Sequence, residues 1–169
     1  RALIDAGGGV FVRFGEAGAS IADLDVVAIS HLHADHAGEL ASLLKGGYFS
    51  RRERPLPIIG PSRRGRFPAM DEHLRALLDA DAGAFRYLAG YLSGDELFPL
   101  PVTVVDAESR EPQRVWQGER VAIDAVGVHH GTIPALGFVV TVGERRVAFA
   151  GDQAADNEAF AAMAAGVDV

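Results

Sequence analysis

The sequence predicts an α/β fold, because strand-like and helix-like segments follow one another along the chain. Residues 25–30 form a short apolar run rich in β-branched residues, which is typical of a strand buried on both faces. Three leucines at helical spacing follow Gly38 and predict a helix directly after this strand. With 169 residues, 49% hydrophobic and 23% charged, the chain has an ordinary globular composition and can bury one substantial core. We therefore expect a single domain over residues 1–169.

Strands and helices alternate through the first part of the chain. The predicted strands are residues 2–5, 10–14, 25–30 and 56–59. The predicted helical segments are residues 21–24, a helix that begins after Gly38, residues 68–78 and residues 82–92. Three glycines end the first strand and Gly60-Pro61 ends the fourth, because glycine and proline interrupt regular structure. The glycine run lacks the spacing of a dinucleotide-binding fingerprint, so we interpret it as a turn.

From residue 102 onward the pattern becomes predominantly β. The predicted strands are residues 102–105, 113–117, 120–128, 136–142 and 145–150. Gly143-Glu144 is a candidate tight hairpin between the last two of these strands. The alanine-rich residues 156–165 predict a helix that Gly166 ends.

Composition and charge exclude several classes of function. The formal net charge of −7 does not favour nucleic acid as a partner of the whole chain. The absence of cysteine excludes disulfides, cysteine-ligated zinc and a thiol nucleophile. No apolar run approaches the length of a membrane span, so we expect no membrane partner. We expect a cytoplasmic protein, with export left open, because the chain lacks an initiator methionine and its native N-terminus is expected to precede Arg1.

Residues 30–38, Ser-His-Leu-His-Ala-Asp-His-Ala-Gly, carry the strongest functional signal. Three of the six histidines of the chain lie here. Alternate residues of an extended segment point the same way, so His31 and His33 can face one metal ion, and Asp35 and His36 can turn toward a second. Imidazole and carboxylate groups suit zinc, manganese or iron. The alternative is a polar loop whose histidines only cap and hydrogen-bond, but four ligand-type side chains at this density exceed what capping needs.

Two later clusters place further ligand-type side chains at the ends of apolar strands. His129 and His130 end one strand, and Asp152 follows another. Taken alone, His130 is equally consistent with a hydrogen-bonded turn, and Asp152 with a helix N-cap or a turn. Because zinc needs three or four protein donors, the earlier cluster favours ligation by both.

The order of these motifs resembles the metallo-β-lactamase superfamily. The resemblance covers residues 2–169 and rests on Leu-Ile-Asp-Ala-Gly at 3–7, the motif at 30–38, His130-Gly and Gly151-Asp152. Residues 130–138 are similar to the branch that contains tRNase Z, arylsulfatases and cyclic-nucleotide phosphodiesterases. The resemblance implies an α/β fold of the αββα type, in which two mixed β-sheets pack face to face between helices, incomplete here at both termini.

The resemblance also implies two divalent metal ions, zinc in the first instance, with manganese or iron as alternatives. Six side chains would be ligands: His31, His33 and His130 for the first ion, Asp35 and His36 for the second, and Asp152 as a bridge. His129 is the rival of His130, which we prefer because it directly precedes a Gly-Thr-Ile-Pro run. The family's final histidine ligand has no counterpart after His130. We therefore expect it beyond Val169, or else a site with one tightly and one weakly bound ion.

These implied ions predict a metal-dependent hydrolase. A hydroxide shared by two ions would attack a phosphodiester, because coordination brings the pKa of water from 15.7 to roughly 7. Asp35 would be the catalytic residue that orients this hydroxide or accepts its proton. Asp5 is a candidate for fixing a ligand loop, with a purely turn-stabilising role as the alternative.

The substrate class is less well defined by the sequence. In the stretch between the first and third ligand clusters, six arginines lie close together in sequence, at positions 51, 52, 54, 63, 64 and 66. Arg63 and Arg64 are candidates for binding a phosphate, and a solvated loop is the alternative. Aromatic residues scarcely interleave with these arginines, which gives little support to a nucleic-acid platform. Two further hypotheses stay open, namely a hydrolase of a lactone, thioester or β-lactam and a non-catalytic binding module.

Overall fold

Two β-sheets form the centre of the fold in the computed structural model, which describes residues 1–95 and 97–169. The strands of the first sheet are β1 Ala2–Ile4, β2 Val26–Ala28, β3 Ile58–Pro61 and β4 Val102–Val105. The strands of the second sheet are β5 Gln113–Gln117, β6 Val121–His130, β7 Ile133–Val142 and β8 Arg145–Phe149. In each sheet the strands lie in sequence order.

Apolar side chains of both sheets meet in a core between them. Val26 and Ala28 of β2 contribute to this core, and Ile123 of β6 and Phe138 of β7 contribute from the other side. Because side chains alternate along a strand, Val27 points to the opposite face of the first sheet. Burial of one such large side chain stabilises the fold by about 2 kcal/mol.

Helices cover the two outer faces. Their bounds are α1 Val10–Glu16, α2 Ala34–Ala37, α3 Leu40–Tyr48, α4 Met70–Leu78, α5 Gly90–Ser93 and α6 Glu158–Met163, with 3₁₀ turns at Ile21–Asp23 and Arg86–Leu88. Leucines of α3 and α4 pack on the first sheet, and Phe160 of α6 packs on Val126 and Val128 of the second. No helix of the described residues has the length and apolar character to cross a membrane.

The predicted αββα sandwich is confirmed, with one refinement. The family resemblance implied mixed sheets, but among the described strands the first sheet pairs only in parallel and the second only antiparallel. Helical crossovers connect β1 to β2 and β2 to β3, whereas short turns such as Gly143-Glu144 connect strands of the second sheet. Long crossovers are needed to join parallel strands, whereas a short turn can join antiparallel strands.

The prediction of a strand at residues 10–14 is wrong, because these residues belong to α1. Gly9 begins the helix with a left-handed φ of 87°. The carboxylate of Glu39 accepts hydrogen bonds from the N–H groups of Gly9 (2.9 Å) and Phe11 (2.8 Å). Glu39, which is distant in sequence, therefore satisfies the free N–H groups at the start of α1. The local apolar pattern of residues 10–14 contains no sign of this contact.

Other differences concern where elements begin and end. Strand β3 runs through Gly60 and Pro61, where the sequence predicted a stop. The helix predicted at residues 82–92 is divided into a 3₁₀ turn and α5. Strands β4 and β5 have the predicted bounds, and the remaining predicted strands and helices are present with shifted bounds.

Candidate metal centre

The candidate centre lies at the edge where the parallel strands of the first sheet end. The loop after β2 carries the motif of residues 30–38, and the carboxyl ends of parallel strands are where α/β folds usually build sites. The turn between β6 and β7 and the loop after β8 approach this edge from the second sheet. The N–H of Leu136 in β7 donates to the carbonyl of Ser30 (2.9 Å), which joins the two sheets at this point.

The first ligand group combines His31, His33, His130 and Asp152. One possible ligand atom from each lies within 4.8 Å of every other. Nε2 of His31 is 3.0 Å from Nδ1 of His33, and the ring centroid of His130 is 5.0 Å from that of His31 and 5.3 Å from that of His33. The structure thus brings together residues that are up to 121 positions apart.

The second ligand group combines Asp35, His36 and Asp152 within the same 4.8 Å limit. Nε2 of His36 lies 3.3 Å from Oδ1 of Asp152 and 3.8 Å from Oδ2 of Asp35. The other oxygen of Asp152, Oδ2, lies 3.9 Å from Nε2 of His130. Asp152 therefore belongs to both groups and turns a different oxygen toward each.

The donor set fits divalent cations. Nε2 of His130 is buried and has no hydrogen-bond partner among residues 1–95 and 97–169. Leaving a buried polar atom unpaired costs free energy, and a metal ion would use that nitrogen lone pair. Three imidazoles with one carboxylate, beside one imidazole with two carboxylates, are donors that zinc and related ions accept. Ligation by these side chains stays a prediction.

Asp5 connects β1 to the ligand loop. Its carboxylate accepts hydrogen bonds from the N–H (2.6 Å) and Oγ (2.9 Å) of Ser30 and lies 2.8 Å from Nδ1 of His36. This contact leaves Nε2 of His36 facing Asp152. Asp5 also has a φ of 61°, and within the described chain it is the one non-glycine residue at positive φ. Such a conformation is uncommon for a residue other than glycine, and its contacts with Ser30 and His36 hold Asp5 in it.

Gly7 allows the loop after β1 to approach the ligand loop closely. A Cβ atom at Gly7 would lie 1.6 Å from the backbone oxygen of Asp35. Next to it, the N–H of Ala6 donates to the carbonyl of His36 (2.7 Å). The sequence indicated only a turn at the glycine run, because the close approach depends on a segment 28 residues further along.

His129 lies apart from both ligand groups. Its Nδ1 is 3.2 Å from Oδ1 of Asp156, and its backbone N–H donates to Oδ1 of Asn157 (2.6 Å). The N–H of Ala154 donates to the carbonyl of His129 (2.8 Å). These bonds tie the loop that carries Asp152 to the strand that carries His130. No local pattern pointed to the contact of Asn157 with His129, which lies 28 residues earlier in the chain.

The arginines that the sequence singled out differ in their contacts. Arg52 is buried, and its guanidinium donates to the carbonyls of Ile21 (3.0 Å) and Leu24 (2.6 Å). Arg63 donates to Oε1 of Glu72 through Nε (3.1 Å) and Nη2 (2.8 Å). Arg64 lies closer to the centre, because it donates to the carbonyl of Gly131 (3.1 Å), the residue after His130. Phosphate binding by Arg63 and Arg64 stays a prediction.

Two histidines of the centre differ in their affinity for protons. Burial, together with the positive charges that His36, His33 and His130 can carry, lowers the pKa of His31 to about 4. Burial also acts to lower the pKa of His36, but the hydrogen bond and charge of Asp5, with the charges of Asp152 and Asp35, outweigh it and raise this pKa. His31 is therefore a neutral imidazole near pH 7, whereas His36 carries more charge than an ordinary histidine.

An NMR titration of the metal-free chain should reproduce this difference. We expect His31 to stay neutral down to about pH 4 and His36 to titrate above its ordinary value of 6.5. The two histidines have opposite effects on the free energy of unfolding. His31 favours the unfolded chain as pH falls from 6.5 toward 4, whereas His36 stabilises the fold below pH 6.5 and ceases to do so as pH rises through its raised pKa. Titration of His36 at or below 6.5 would contradict the role given to Asp5.

Comparison with known proteins gives a consistent family assignment. Residues 1–169 match a family model described as a β-lactamase superfamily domain. The chain is 31% identical over 154 residues to ribonuclease Z of Mycobacterium avium, an alignment that covers 89% of this chain and 51% of that protein. Ribonuclease Z of Mycobacterium marinum is 30% identical over 154 residues, with 89% and 52% covered. The chain thus spans about half the length of the curated relatives it matches.

Solved structures agree on the fold. The short form of human tRNase Z superimposes with a TM-score of 0.60 at 22% identity, covering 92% of this chain and 61% of that one. A metallo-β-lactamase fold protein from Bacillus subtilis gives a TM-score of 0.58 at 18% identity, covering 93% and 52%. At these identities the similarity concerns the fold alone.

Proposed function

The chain belongs to the metallo-β-lactamase superfamily, in the branch that resembles ribonuclease Z, and from this premise we propose that it is a metal-dependent phosphodiesterase acting on nucleic acid. The observation that carries the proposal is the shared position of Asp152, whose oxygens lie 3.3 Å from His36 and 3.9 Å from His130. The names of the mycobacterial relatives add support for an RNA substrate.

Two divalent ions, zinc in the first instance, fit the donors described above. His31, His33 and His130 would hold one ion, Asp35 and His36 the other, and Asp152 both. When bound, such ions supply acidified water at neutral pH and offset negative charge on a phosphodiester.

The side chains of the chain would then position the reacting groups. Asp35 has a side chain that is 77% exposed, so it can contact a water molecule on the solvent side of the centre. Its carboxylate would orient that water and accept its proton while the water oxygen forms the new bond to phosphorus. The bond from phosphorus to the leaving oxygen breaks, and the leaving oxygen takes up a proton. Asp5 would keep the ring of His36 in place through Nδ1.

A comparison of substrates tests the proposal directly. The chain, loaded with zinc or manganese, should hydrolyse bis(p-nitrophenyl) phosphate in preference to an aryl lactone or a chromogenic β-lactam. Removing the metal should lower the rate by more than about 100-fold, since charge stabilisation in the transition state is lost with it. Preference for the lactone or β-lactam would instead identify a carbonyl hydrolase. Bound metal without turnover of any substrate would identify a binding module.

A further inference from the structure

A short hairpin after β3 projects at the same edge of the sheet as the candidate centre. The N–H of Arg64 donates to the carbonyl of Phe67 (3.1 Å), and the N–H of Phe67 donates to the carbonyl of Arg64 (2.9 Å). Gly65 takes a left-handed φ of 55°, which allows the tight turn. The tip of this hairpin, residues 64–67, is therefore Gly65-Arg66.

The hairpin is fixed beside the ligand residues. Nη1 of Arg64 donates to the carbonyl of Gly131 (3.1 Å), and Gly131 directly follows His130. Nε of Arg64 lies 3.1 Å from Oε1 of Glu108, which holds the same guanidinium from another loop. The position of the hairpin tip is thus set by contacts to Glu108 and to the turn that follows His130.

Arg66 differs from its neighbours Arg63 and Arg64 in having no acidic partner in the described part of the chain. Glu72 holds Arg63 through two nitrogens, and Glu108 holds Arg64. The guanidinium of Arg66 instead lies over the ring of Phe67, 5.4 Å from its centroid. Stacking on an aromatic ring orients a guanidinium but leaves its N–H groups available for an anion.

We propose that Arg66 binds a backbone phosphate of an RNA substrate, at a nucleotide other than the one that is cleaved. The proposal rests on the proposed function, since it assigns a substrate contact for the same site. A planar guanidinium matches the oxygens of a phosphate, and RNA repeats this group at every nucleotide. A local cation at the hairpin tip also explains how a chain with a net charge of −7 can attract a polyanion at one edge.

Binding of RNA by the metal-free chain tests this role without any turnover. The probe is a fluorescein-labelled RNA hairpin with a single-stranded 3′ extension, followed by fluorescence anisotropy at several salt concentrations. R66A should raise Kd by about fivefold to tenfold and reduce the slope of log Kd against log salt by about 1. The matched control is R51A, which makes the same charge change. Arg51 is exposed and lies three positions before Arg54, whose ion pair with Asp25 is at the opposite edge of the first sheet.

Each outcome decides the question. Weaker binding by R66A together with unchanged binding by R51A supports the assignment. Equal Kd values for R66A and the wild type, or equal losses in R66A and R51A, overturn it. If the wild type does not bind RNA but still hydrolyses bis(p-nitrophenyl) phosphate, the role of Arg66 is overturned and the phosphodiesterase activity stands.

Discussion

Replacing Asp152 with asparagine is expected to remove metal from both ligand groups and to lower kcat by about 10³-fold. The amide keeps the size of the carboxylate but loses its charge and one of its two acceptor oxygens. Because Oδ1 lies 3.3 Å from His36 and Oδ2 lies 3.9 Å from His130, the single amide oxygen can face only one of the two groups. The other group loses its oxygen donor, and both groups lose the negative charge of the carboxylate. Metal content measured by elemental analysis and turnover of the diester should fall together.

D156N is the matched control for D152N. Asp156 lies four positions later on the same loop, is exposed, and contacts Nδ1 of His129 at 3.2 Å rather than a ligand group. This variant makes the same chemical change, keeps an acceptor oxygen for the contact with His129, and should keep the metal content of the wild type. An unchanged metal stoichiometry in D152N would contradict the bridging position of this carboxylate.

Replacing Gly7 with alanine is expected to displace the ligand loop although Gly7 is not a ligand. The added Cβ would lie 1.6 Å from the backbone oxygen of Asp35, an overlap that only backbone movement can relieve. Overpacking of this kind costs about 3 kcal/mol or more of unfolding free energy. We expect a lower melting temperature and weaker metal binding, measured by thermal denaturation and by metal titration.

The neighbouring glycine provides the control for this prediction. A Cβ at Gly8 would meet no atom of the described residues within 4 Å, so G8A should behave as the wild type. If G7A does not fold while G8A does, the difference still supports the close approach of the two loops. Equal melting temperatures and metal affinities in both variants would contradict it.

The sequence was most informative where a signal is local. The motif at residues 30–38 combines a buried strand with ligand-type side chains next to it, so both the strand and the grouping of His31, His33 and His36 could be expected. The β-rich second half was predictable for the same reason, because period-two patterns and turn residues act over short distances.

Long-range contacts explain what the sequence could not predict. Residues 10–14 have a strand-like pattern, but Glu39 satisfies the first N–H groups of α1 from a distant part of the chain. In the same way, Arg63 is paired because Glu72, nine positions later in the sequence, lies within reach in three dimensions, whereas Arg66 contacts the adjacent Phe67. The contacts of Glu39 with α1 and of Glu72 with Arg63 are therefore not encoded in the residues next to these segments.

The hydrogen bond from Leu136 to Ser30 shows that the ligand residues stand on both sides of the boundary between the sheets. His31 and His33 follow a strand of the first sheet, whereas His130 ends a strand of the second sheet and Asp152 follows another strand of it. An ion bound by these four side chains would act as a crosslink between the two sheets. Its binding free energy would then oppose separation of the sheets, so the fold would be more stable with metal bound than without it.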